Sequence, residues 1–389
     1  MRFAAGGASA ASDALNTFAA NVVEVASNDA LARAAESWRR SPALALDTEF
    51  IRTRTFYPIE ALYQLATESA IYLIDPLAIS DRRPLVDLLE DESIVKVMHA
   101  CSEDLEVFAR HLRCTPRPIF DTQIAESFLS VDFSASYAEL VRRHCAVSLQ
   151  KHETRSDWLA RPLRAEQLHY AAEDVRYLLP IARHQRGELE RADRLAWAQD
   201  ECAERCRFAP PDPDRYYLEV GGAARCDEAS LRRLRALCRW RELRAREKDL
   251  PRGRVVKDDE LLDLAQRDCP DRDAVFASLS PPAARRYWRE VIDVVAAANR
   301  DDSETLLAPP KPLGRADQAA AQRMRELAHA QASVLGVAPE LLARRRDLEA
   351  CVRTYRATGR LPPRFLGWRY HSIGAQFESL LADDGGQPR

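Results

Sequence analysis

Short apolar runs crowd the first hundred residues of the chain, and helical periodicity takes over after them. Val22 to Val25 reads as a strand, and SNDALARAAESWRR follows as an amphipathic helix that Ser27 is placed to cap. Apolar, β-rich runs recur at Ala43 to Phe50, Ala61 to Ala66, Ala70 to Ile74 and Ile94 to His99. The first three follow one another with no helix-length gap, which predicts an antiparallel meander. PLVDLLED, between the third and the fourth, has helical spacing, so the sheet should turn mixed there, with helices on its faces. From Ser102 to about Arg207 the periodicity is helical almost throughout, punctuated by Pro116, Pro118, Pro162 and Pro180. The pattern predicts an α/β domain over residues 19–208, preceded by a disordered tail at 1–18.

Beyond that domain the strand signals vanish. PPDPD at Pro210 to Asp214 marks a linker, taken as 209–222, and a helical stretch occupies 223–300. The acidic, proline-bearing DDSETLLAPPKP sets a second linker at 301–314, and a further helical stretch fills 315–383. Each stretch has the size of a small helical bundle.

Composition narrows the class. With 389 residues, 46% hydrophobic and 30% charged, the chain has ample material for several cores. No run approaches the roughly 18 apolar residues of a membrane span, and MRFAAGGASAASD lacks the marks of a signal or transit peptide. The expectation is a cytoplasmic protein with no membrane partner and no obligate protein partner. The nine cysteines are scattered; the close pair Cys202 and Cys206 has no second pair to complete a zinc site, so all read as reduced structural thiols. The net charge of −3 conceals an asymmetry, because Arg232, Arg233, Arg235, Arg239, Arg241, Arg244, Arg246 and Lys248 crowd one helix. Such a run serves as a solvated face or as a phosphate-contacting surface.

The chemistry begins at LALDTEF. Residues two apart on a strand face one side, so Asp47 and Glu49 project together while Thr48 and Phe50 face the other. Burying two unpaired carboxylates costs several kcal/mol each, so a fold that keeps them needs cations between them. In HACSEDLEVFARHL, His99 closes a strand, Ser102 is an N-cap candidate, and Asp104 falls in the first turn, where ligand sites of α/β sheets collect. In LHYAAEDVRYLLP, Tyr170 and Asp174 are four apart and share a helix face. Four acids and a phenol suit two-metal phosphoryl chemistry, and their hard oxygens point to Mg²⁺ or Mn²⁺.

The order DTEF, HACSEDLEVF, FDTQIA, RSDWLARPL and YAAEDVRYLLP resembles ribonuclease D, a family in the tyrosine-bearing branch of the DEDD exonuclease superfamily. RTRTFYP and LIDPL look like the same family's words. LCRWRELRAREKDLPRGRVVKDDELLDLA is similar to the helicase-and-RNase-D C-terminal (HRDC) domain, and the second helical stretch resembles a further copy. The resemblance implies a ribonuclease H-like mixed sheet followed by two HRDC-like bundles. It implies a 3′–5′ exoribonuclease that trims tRNA precursors and other structured RNAs from a single-stranded 3′ end, using two divalent ions. Carried over by position, Asp47, Glu49, Asp104 and Asp174 become the metal ligands, and Tyr170 the residue that orients the attacking water.

His169 also fits the histidine-bearing branch, since H-Y-A-A-E-D satisfies its spacing as well. On a continuous helix Tyr170 is roughly 40° from Asp174 and His169 roughly 140° away, so geometry favours the tyrosine. Expected RNA contacts are Phe56 and Tyr57 as stacking rings, Gln64 at the terminal nucleotide, and Lys151 and Trp158 in the LQKHETRSDWLARPL segment. Asp121 in FDTQ reads as an N-cap or an outer ligand. A DNA exonuclease and a catalytically inactive nucleic-acid-binding scaffold are the alternatives. Truncation after Ala209 is expected to spare cleavage of short single strands while weakening the grip on structured RNA.

Overall fold

The computed structural model describes residues 22–149, 156–300 and 306–384. The expected tail and Lys151 lie outside the described residues. Strands β1 (Val22–Val25), β2 (Ala43–Ile51), β3 (Ile59–Ala66), β4 (Ile71–Ile74), β5 (Val95–Met98) and β6 (Ile119–Asp121) form one mixed sheet in the order β1-β4-β3-β2-β5-β6. The parallel pairs are β1 with β4, β2 with β5 and β5 with β6, while β3 runs antiparallel to β4. The expected neighbours β2, β3 and β4 are thus adjacent. Three-residue β6 was concealed in a helical reading, being too short to show alternation.

Helices cover the sheet as the periodicity demands. Helix α1 (Asn28–Trp38) starts at Ser27, whose side chain accepts from the Ala30 amide at 3.2 Å, and buries Leu31, Ala35 and Trp38. Next come α2 (Arg83–Glu90), α3 (Ser102–Val107), α4 (Thr122–Ser127) and α5 (Tyr137–Cys145), followed by α6 (Ala165–Arg176), α7 (Leu178–Arg191) and α8 (Leu195–Arg205). Burial of Leu44, Ala45 and Leu46 on both faces of β2 explains its unbroken apolar start.

The chain divides into two compact units, one made of residues 1–51, 60–208 and 313–389 and the other of 52–59 and 209–312. In the first, α14 (Arg315–Leu335), α15 (Pro339–Leu342), α16 (Arg345–Thr358) and α17 (Ala375–Asp383) share the core of the α/β domain rather than forming a third body. Trp368 packs on Phe128 at 5.1 Å and stacks on Trp197 at 5.5 Å. Arg369 and Glu201, both buried, pair at 2.6 Å.

In the second unit α9 (Glu228–Lys248) is the central helix, packed by α10 (Arg252–Val255), α11 (Asp258–Ala265), α12 (Arg272–Ser278) and α13 (Pro281–Ala298). Its arginine run is only partly a surface. Arg233 is buried against the Ala265 carbonyl, and Arg241 is buried against the Val256 carbonyl and Asp258. Among the described residues no helix is long and apolar enough to cross a membrane.

Candidate active site

Asp47 and Glu49 leave the end of β2 half-buried, where its apolar run stops. Between β5 and α3 the chain passes through Ala100 at φ 54, a left-handed conformation that L-residues adopt at a cost of about 1 kcal/mol. That turn delivers Asp104, 7% exposed, into the first turn of α3. Cys101, not Ser102, occupies the N-cap position. Asp174 comes from α6, which packs across β2 and β4.

Electrostatics ties the four acids together. Burial raises the Asp47 carboxyl well above the usual range, and repulsion from Asp104, Asp174 and Glu49 raises it further. Glu49 is pushed up to about 9 by burial and then by Asp174 and Asp104. Asp104 and Asp174 both rise to about 7, chiefly through burial. Carboxylates gathered in this way have the donor chemistry for hard divalent cations.

Tyr170 donates a hydrogen bond to Asp174 and is itself partly buried, whereas His169 on the same helix is exposed. Burial followed by the charges of Asp174, Glu49 and Asp47 lifts the Tyr170 phenol far above its ordinary value. A phenol held neutral in this way, with its proton directed at Asp174, is poorly suited to serve as a base.

Two further residues hold this geometry, and the sequence pattern concealed both. Thr48, on the opposite face of β2, donates to Asp104 Oδ1 at 2.5 Å. Alternation sends it away from Asp47, and only the return of the chain at α3 brings Asp104 to it. Tyr137 donates to the Glu173 carbonyl at 2.9 Å and accepts from the Tyr177 amide at 3.1 Å, clamping the backbone on both sides of Asp174.

A model of the 3′-5′ exonuclease domain matches residues 22–190, and an HRDC domain model matches residues 230–295. The chain is 38% identical over 360 residues to ribonuclease D of Pseudomonas paraeruginosa, covering 90% of this chain and 95% of that one. To ribonuclease D of Escherichia coli it is 35% identical, covering 93% and 99%. The crystal structure of E. coli RNase D, described as an exoribonuclease involved in structured RNA processing, superposes with a TM-score of 0.88, covering 95% of this chain and 100% of that one. The chain belongs to the ribonuclease D family. As a ribonuclease D it is a 3′–5′ exoribonuclease, a hydrolase with an α/β exonuclease domain followed by an HRDC domain, and the family implies divalent metal ions.

Against that family background the expected RNA contacts divide. Trp158 is buried, its ring 6.1 Å from that of Tyr170, so it packs against that phenol. Gln64 is fully buried in β3, and its amide nitrogen and oxygen have no hydrogen-bond partner among the described residues. Phe56 is a core residue of the second unit, with the Arg252 guanidinium 4.9 Å from its ring centre. Its amide and that of Tyr57 both donate to Asp249 Oδ1 at 3.0 Å, so stacking on RNA is not what fixes this loop. Tyr57 is partly exposed. Asp121 proves to be the N-cap of α4, accepting from the Gln123 amide at 2.8 Å and the Ile124 amide at 3.1 Å.

Proposed function

We propose that this cytoplasmic enzyme trims the 3′ ends of tRNA precursors and other structured RNAs, releasing nucleoside 5′-monophosphates, with two Mg²⁺ or Mn²⁺ ions held by Asp47, Glu49, Asp104 and Asp174. The observation that carries this reading is the gathering of four mutually repelling carboxylates at one strand end, with the Tyr170 hydroxyl on Asp174. Bound divalent ions would neutralise phosphate charge and favour ionisation of the attacking water. The protein's own contribution is positional: Thr48 fixes Asp104, Tyr137 fixes the backbone at Asp174, and Tyr170, its proton given to Asp174, would offer its oxygen to the entering water.

The HRDC unit fits the role of a backbone grip. Arg232, Arg235 and Arg239 line a groove between α9 and α13 and would contact phosphates once released from acids such as Asp214, which lies 3.0 Å from Arg239. Residues 315–383 are read as the further HRDC-like copy. The test uses one RNA labelled at its 5′ end and again at its 3′ end, with added Mg²⁺ or Mn²⁺. Stepwise shortening of the 5′-labelled strand, with mononucleotide released from the 3′-labelled one, is expected. Internal cuts, or an equal rate on the matching DNA, would overturn the reading.

A further inference from the structure

A thiol pair one helical turn apart and a third thiol about a hundred residues upstream in the chain converge behind the start of α3. Cys101 sits at the N-cap of that helix, Asp121 ends β6, and Cys202 and Cys206 stand one turn apart at the end of α8. Cys101 Sγ lies 3.5 Å from Cys206 Sγ, and one ligand atom from each of Cys101, Asp121 and Cys206 falls within 4.8 Å of the other two. All four residues are buried, at 2% for Cys101, Asp121 and Cys202 and 6% for Cys206. The Cys202 thiol contacts that of Cys206 and accepts from the Asp121 amide at 3.4 Å, while the Cys101 amide donates to Asp121 Oδ2 at 3.0 Å.

A tetrahedral zinc ion with Zn–S bonds of about 2.3 Å holds its sulfurs about 3.7 Å apart, close to the Cys101–Cys206 spacing. Oxidation to a disulfide needs an oxidant to reach a thiolate, and these sulfurs are enclosed. Amides donating to a ligand sulfur and to a ligand carboxylate are the outer contacts that orient such a set. We propose that Cys101, Cys206 and Asp121 form a thiolate-rich site for a soft divalent ion of the zinc type, which the Cys202 thiol beside Cys206 would turn to complete, separate from the carboxylate cage. Binding releases the thiol protons to solvent and leaves three thiolates and a carboxylate on the metal. The ion would fasten the end of α8 and the end of β6 to the helix start that carries Asp104.

The test uses the full chain with its thiols reduced. Zinc is measured in protein purified without chelator, and cobalt(II) is then exchanged in and the near-ultraviolet thiolate-to-cobalt band recorded, a signal oxygen ligands cannot give. About one thiolate-held ion per chain is expected. The band should be lost in Cys206→Ser and Cys101→Ser and kept in Cys351→Ser and Asp174→Asn. Should the serine variants not fold, the intact protein still decides. No zinc and no thiolate band, or a Cys101–Cys206 disulfide in the non-reduced peptide map, overturns the proposal, and none of these readings depends on nuclease activity.

Discussion

At the residue scale the acids carry a pH signature. Without metal, Asp104 and Asp174 stay protonated to about 7 and Glu49 to about 9, above their values in an unfolded chain. The folded state then holds more protons than the unfolded state, so stability is fully present below about pH 4 and is lost as pH rises through those values. Thermal melts of chelator-treated protein should fall between about pH 5 and about pH 9, and Asp104→Asn should raise stability at about pH 8 by about 1–3 kcal/mol. A flat or rising profile would contradict this. Added Mg²⁺ should stabilise most at the alkaline end, since it binds the ionised acids. Thr48→Val should lower the rate about tenfold and raise the metal needed for half-activity, because Asp104 loses its orienting hydroxyl. An unchanged metal requirement would show that Thr48 is dispensable. Asp47, Glu49, Asp104, Asp174 and Tyr170 were legible in the sequence because their motifs are contiguous words. Thr48, Tyr137 and the Cys101 cluster were not, because their partners come from segments far away in the chain.

At the element scale, strands β1 to β5 and most helices follow from alternation and helical spacing, whereas β6 has too few residues to carry a period. Buried charge is the feature that periodicity misreads. Arg233, Arg241 and Arg369 sit at helical positions that look solvent-facing, yet each turns inward to carbonyls or an acid. The pair between Glu201 on α8 and Arg369 is the clearest case. Glu201→Ala should cost about 3–5 kcal/mol because it strands a buried guanidinium, and the double variant Glu201→Gln with Arg369→Met should recover part of that loss. Denaturant melts of the three proteins check this, and a neutral single variant would show that water reaches the pair.

At the scale of the whole molecule, the proline-bearing and acidic stretches fall near the ends of the second compact unit, although Tyr217 and Val220 of the expected first linker are buried in its core, and the allegiance of the last helices was not legible. Residues 315–383 read as an independent bundle, whereas Trp368, wedged between Phe128 and Trp197, joins them to the exonuclease core. No single-segment pattern announces that a tryptophan's partners lie more than a hundred residues upstream. The expectation that a chain ending near Ala209 keeps its nuclease intact is therefore revised. Such a truncation uncovers Phe128, Trp197 and the buried Glu201, and it should melt at lower temperature and aggregate more readily than the full chain. A truncated protein as stable as the full chain would contradict the shared core. Charge reversal at Arg239, which leaves every core intact, is the cleaner probe of RNA grip. Arg239→Glu should weaken binding to structured RNA and reduce its salt dependence while sparing short single strands.

The central claim is that Asp47, Glu49, Asp104 and Asp174, with Tyr170, work as one metal-dependent exonuclease site. Its most direct test is the rate of shortening of a 5′-labelled single-stranded RNA in Mg²⁺ or Mn²⁺ by the intact protein, Asp174→Asn, Tyr170→Phe and His169→Ala. The account predicts loss of at least about a hundredfold for Asp174→Asn, about ten- to a hundredfold for Tyr170→Phe, and little change for His169→Ala. Collapse with His169→Ala while Tyr170→Phe retains full activity would contradict it.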